Sequence, residues 1–167
     1  MSNKAFRAKK IKSGAWFVFA GLVLAALIWL AASSGGGSVA SGNPRAEITP
    51  AEIDAGTVSM AAGKITKTFT VKNAGTGDLV IDNVWTSCHC TTAYLIIDGK
   101  KSSRFGMDKM STFQKIGAGK TAELEVVFDP AYHGRDAIGA VNRIVYLSTN
   151  DSTNKVAQAV LLANVTR

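Results

Sequence analysis

Cysteine, histidine and proline are scarce in this chain, at two, two and three in 167 residues. No cysteine directly follows the apolar run near the N-terminus, which excludes a bacterial lipoprotein, because that class needs a thiol at its cleavage point. The Cys-x-x-Cys-His of covalent haem attachment is missing, and so are GxSxG, HExxH, the P-loop and GxGxxG. With no catalytic set visible, the chain is not expected to be an enzyme. A Ser or Cys nucleophile paired with His133 is the weaker alternative. A length of 167 residues leaves no room for two independent cores. A strong basic patch is also missing from the body of the chain, despite a formal charge of +7. Lys4, Arg7, Lys9, Lys10 and Lys12 carry five of the positive charges with no acid among them, and from Arg45 onward 14 bases face 12 acids. No stripe able to release counterions from phosphates remains, so no nucleic-acid partner is expected.

Residues 15–32, AWFVFAGLVLAALIWLAA, are an uncharged apolar run. At roughly 1.5 Å per helical residue they reach about 27 Å, near the hydrocarbon thickness of a bilayer. Trp16 and Trp29 suit its two interfaces as membrane anchors. The charge asymmetry keeps residues 1–13 in the cytoplasm and sends the rest across. A cleaved signal peptide has the same order of parts, but its apolar region is usually shorter, so residues 14–33 are read as an uncleaved single-pass signal anchor. Residues 34–45 are rich in Gly and Ser and read as a flexible linker. The remainder, 46–167, is then extracytoplasmic, on the periplasmic or cell-surface side, where disulfides persist.

Beyond Arg45 the apolar pattern has period two. Ile65, Phe69 and Val71 alternate with threonines and Lys72, and Ala122, Leu124, Val126 and Phe128 alternate with Glu123, Glu125 and Val127. Residues 79–85, 141–148 and 155–165 are also β-rich, with turns between. Short strands about ten residues apart, without a convincing amphipathic helix, predict an all-β fold. The expected architecture is an immunoglobulin-like sandwich of two antiparallel sheets, preceded by the transmembrane helix.

The strings ITPAEIDAGTV (48–58), FTVKNAGTGDLVIDNVWTSCHCTTA (69–93), IGAGKTAELEVVFDP (116–130) and YLSTND (146–151) resemble a bacterial family, number 1573 among the domains of unknown function. Its members are similar to Hydin-type immunoglobulin-like modules. The most specific element is Thr86-Ser87-Cys88-His89-Cys90-Thr91, where the family commonly has TSCGCT. This chain departs from that pattern at His89 and in a long segment, 94–114. The resemblance implies a fold and supplies little mechanism.

Cys88 and Cys90 are the only cysteines. On a strand, residues two apart share a face, so the two sulfurs would emerge side by side. Three chemistries use such a pair: a disulfide, a soft-metal site, and thiol-disulfide exchange with a partner. Extended spacing of about 6.5 Å between Cα atoms lies near the limit of bridgeable geometry, so a local disulfide needs a bend. A metal needs more ligands. His89 would project away from the sulfurs on a regular strand, leaving Cys88, Cys90, Met107 and His133 as a candidate set of the kind copper prefers. Each has a plainer role too: a structural disulfide for the cysteines, a turn hydrogen bond for His133, and packing for Met107, Met110 and Trp85. The leading expectation is a membrane-anchored module that binds or scaffolds an envelope protein. Copper or other soft-metal binding, or thiol-disulfide exchange, is the alternative.

Overall fold

The computed structural model describes residues 41–167. The assignments of residues 1–13 and 14–33, with Trp16 and Trp29, lie outside the described residues, as does most of the 34–45 linker. Among the described residues no helix is long and apolar enough to cross a membrane.

Ten strands follow in order: β1 (Ala46–Thr49), β2 (Glu52–Ser59), β3 (Ile65–Asn73), β4 (Leu79–Thr86), β5 (Thr91–Ile97), β6 (Lys100–Lys101), β7 (Met110–Ile116), β8 (Thr121–Phe128), β9 (Gly139–Thr149) and β10 (Val156–Thr166). They form two five-stranded sheets, ordered β1-β3-β8-β5-β6 and β2-β10-β9-β4-β7. The all-β expectation holds, with one correction to the sheets. The second is mixed, because β10 pairs β2 in parallel. Pro50, which has no N–H for a ladder, separates β1 in one sheet from β2 in the other.

The alternating side chains account for the core. Phe69, Val71, Leu124, Val126 and Phe128 from the first sheet share one buried cluster with Leu79, Ile81, Val84, Leu147 and Leu161 from the second. In β4 the alternation is interrupted between Ile81 and Asn83, where the pairing to both neighbours shifts register. This bulge puts Asp82 outside and returns Val84 to the core.

The last residues assigned to the linker belong to the fold. Thr76 N donates to Asn43 O at 2.9 Å and Ala74 N to Arg45 O at 2.8 Å. The close approach needs glycine: a Cβ on Gly75 would meet backbone at Asn43, and one on Gly77 would lie 2.6 Å from Gly42 backbone. The segment 94–114, read from sequence as a long departure from the pattern, contains most of β5, the short β6 and the start of edge strand β7.

Candidate functional site

The cysteines do not lie on a strand. They occupy the turn at 87–90 between β4 and β5, and that bend brings their Cα atoms to 5.3 Å, within disulfide range. The strand geometry expected for the pair is therefore replaced by a turn that allows the Cys88–Cys90 disulfide. Neighbouring hydroxyl residues hold the turn. Thr86 Oγ1 lies 3.0 Å from Cys88 O and 3.1 Å from Thr91 O, and Thr91 N donates to Cys88 O at 3.1 Å. Ser87 ties the turn to β9 twice, donating through N to Ile144 O and accepting from Ile144 N at Oγ, both at 2.9 Å. Asp129 N donates to Cys90 O, tying the turn to the end of β8.

The two sulfurs have unlike surroundings. Cys90 is 3% exposed and belongs to the core cluster, whereas Cys88 is half-buried at its edge. His133 Nε2 lies 3.1 Å from Cys88 Sγ. The loop carrying it is pinned by Asp129, whose Oδ1 accepts from Ala131 N, and by an edge contact between the Tyr132 and His133 rings. On the other sulfur, Arg143 Nε donates to Cys90 Sγ at 3.0 Å. Its guanidinium also lies over the Phe128 ring and donates to Asn142 O. Burial lowers the Arg143 pKa from its ordinary value. A hollow of about 150 Å³ opens between His133 and Arg143, walled mainly by apolar residues including Phe128, Ile138 and Val141, with Asp129 among them.

Of the four residues proposed from sequence as soft ligands, three have donor atoms that converge. Cys88 Sγ, Cys90 Sγ and a His133 ring nitrogen all lie within 4.8 Å of one another. Met107 is 45% exposed and follows Gly106, whose carbonyl accepts from Thr86 N. His89 is exposed. Trp85 stacks on Tyr146 at 5.1 Å.

Arg143 escaped the sequence reading. Its signal was present: in the alternation of Val141, Val145 and Leu147 it holds an inward-facing register position, where a charge is out of place.

Oxidised, the pair has no thiolate to offer. Reduced, it provides two soft sulfurs and an imidazole beside a fixed cation. One turn thus supports either ligation or exchange.

Residues 46–103 match the family described as protein of unknown function (DUF1573). No curated protein matches the chain. Among solved structures, a protein of unknown function from Porphyromonas gingivalis W83 is similar at 15% identity and a TM-score of 0.58, over 78% of this chain and 51% of that one. The VesB protease of Vibrio cholerae is similar at 14% identity and 0.48, over 73% and 32%. The ASH/PapD-like domain 7 of human CEP192 is similar at 12% identity and 0.44, over 73% and 85%. The chain thus spans about half the length of the first and a third of the second. The first likeness supports the β-sandwich fold and carries nothing about activity.

Proposed function

We propose that the chain is a membrane-tethered, extracytoplasmic binding module of immunoglobulin-like architecture, and that its reduced form holds Cu(I) at Cys88, Cys90 and His133. One observation carries the reading: two sulfurs and an imidazole nitrogen within 4.8 Å of one another. Cu(I) favours thiolate and imidazole over oxygen ligands. Charge favours it too. Two thiolates and Cu(I) sum to one negative charge, which the Arg143 guanidinium offsets from 3.0 Å away, whereas a divalent ion would leave that cation uncompensated. The tether and compartment rest on the apolar run at 15–32 and the charges before it. The chemistry proposed is binding rather than turnover, since His133 faces a cysteine sulfur and the pair is one residue apart in a single turn.

The test is a titration of the full-length, pre-reduced protein with Cu(I) against a coloured Cu(I) chelator. One ion per chain is expected, with retention lost in a Cys88→Ser, Cys90→Ser double variant and weakened on the order of tenfold in His133→Ala. Equal affinity in the double variant would falsify the assignment.

A second reading, protein docking, is favoured by edge strand β7, where Phe113 is 68% and Met110 40% exposed. Edge strands accept an added strand from a partner. Cross-linking in native membranes from a photoreactive residue at position 113 is expected to give one discrete adduct. A smear of adducts, or none, removes this reading.

A further inference from the structure

We propose that the Cys88–Cys90 bond is arranged for thiol-disulfide exchange of one polarity, in which an incoming thiolate attacks Cys88 and Cys90 leaves as a thiolate held by Arg143. The inference concerns the same sulfurs as the copper reading and requires no metal.

Exchange proceeds by attack on one sulfur while the other departs with the bonding electron pair, so access and leaving-group stability choose the direction. Both point the same way. Cys88 is half-buried beside an exposed loop, whereas Cys90 is 3% exposed within the core cluster. The departing charge then falls where a cation is already aimed, with Arg143 Nε–H at 3.0 Å from Cys90 Sγ. A neutral disulfide sulfur is a weak acceptor, and a thiolate is a strong one. Among the described residues no carboxylate forms an ion pair with Arg143: its guanidinium contacts Asn142 O, the Phe128 face and this sulfur. A half-buried guanidinium without an anion is costly in the resting protein, and its pairing is completed when Cys90 becomes anionic. The hollow between His133 and Arg143, the two side chains that reach the sulfurs, is walled mainly by apolar groups with Asp129 among them, which suits a protein dithiol presented on a largely apolar loop.

The step balances with a partner dithiol as reductant. Its thiolate forms a bond to Cys88 Sγ, the Cys88–Cys90 bond breaks, and the electron pair resides on Cys90 Sγ. The partner's second thiol, as thiolate, then attacks its own sulfur in the mixed disulfide and expels Cys88 as a thiolate beside His133 Nε2. The partner leaves as a disulfide and the pair is reduced by two electrons. The two thiol protons pass to solvent or to the cysteines. Run backwards, the same path oxidises a dithiol.

The test uses the oxidised full-length chain in detergent with a copper chelator present and reduced glutathione as the thiol. The reaction is quenched in acid, alkylated, and mapped by peptide mass. Glutathione is expected on Cys88 and the alkyl group on Cys90, with Arg143→Gln slowing reduction about tenfold and Arg143→Lys retaining part of the rate. Glutathione found mainly on Cys90 overturns the polarity, and so does an unchanged rate in a folded Arg143→Gln protein. The mapping in the unmutated chain needs no variant to fold. Since copper is excluded, failure here leaves the titration of the reduced protein untouched, and failure of that titration leaves this mapping untouched.

Discussion

Two groups of polar atoms are drawn into this sandwich, and they differ in what they leave undone. Asn73 is fully buried, donating through Nδ2 to Gly77 O and Ile116 O and accepting at Oδ1 from Arg45 N and Gly75 N. Asp151, 1% exposed, accepts from Ala46 N, Thr153 N and Thr153 Oγ1. Every one of these partners is a loop or strand end that must be held, so the bonds are consumed by the fold. Around Cys88 and Cys90 the backbone of the turn is likewise satisfied, by Thr86, Ser87 and Asp129. The side chains aimed at the sulfurs, His133 and Arg143, hold nothing else that the turn needs. Polar bonding of the first kind is architecture. The second kind is available for chemistry.

The sharpest way to break that comparison is Asn73→Ala. It strands two carbonyls and two N–H groups, and a loss of about 3 kcal/mol in denaturant unfolding is expected, with the glutathione reaction unchanged in the folded fraction. A cost below about 1 kcal/mol would place Asn73 outside the architecture.

Asp151 sharpens the comparison through pH. Burial pushes its carboxyl up, but the hydrogen bonds from Ala46 N and from Thr153 outweigh burial and hold it below the ordinary value of 3.8. A group with a depressed folded pKa contributes stability that is fully present above its unfolded value and is lost as pH falls through the folded one. The thermal midpoint is therefore expected to be level with respect to this group above about pH 5 and to fall below about pH 4. Asp82 adds to the same limb, lowered first by its hydrogen bond with Ser148 and then by that with Asn83. In Asp151→Asn the protein is less stable at neutral pH and the acid limb is shallower. An acid limb of unchanged steepness would count against Asp151 as its source.

The same contrast explains what was legible in the sequence. Period-two alternation located β3, β4, β8, β9 and β10 within a residue or two, because each has one face in the core. It missed the four edge strands β1, β2, β6 and β7, of which β2 and β7 bury only Val58 and Ile116, and it also missed β5, which lies inside its sheet and buries Thr91, Ala93 and Leu95. Edge strands escape a method that reads burial, whereas β5 was passed over within the segment 94–114 that departs from the family pattern. At the site, residue type alone singled out Cys88, Cys90 and His133, since soft donors are scarce in this chain. Their convergence was not legible, because it depends on a turn where a strand was expected and on a loop fastened by Asp129. Arg143 was legible only as a charge at an inward register position, a signal that needs the sheet before it means anything.

The smaller expected effects sit at the cysteines and at His133. A bridge between residues two apart closes so short a loop that chain entropy gives it only about 1–2 kcal/mol. Replacing both with Ser is expected to cost about that, measured by denaturant unfolding against the oxidised parent. His133→Ala is expected to shift stability by less than about 0.5 kcal/mol, because its ring is exposed and meets one sulfur and one tyrosine edge. Copper retention, by contrast, is expected to fall on the order of tenfold in the same variant. A residue that matters to the ligand and not to the fold gives these unequal readouts. If His133→Ala instead lowers stability by about 2 kcal/mol and leaves copper retention alone, the imidazole is a loop fastener, and the two groups of polar side chains serve one purpose.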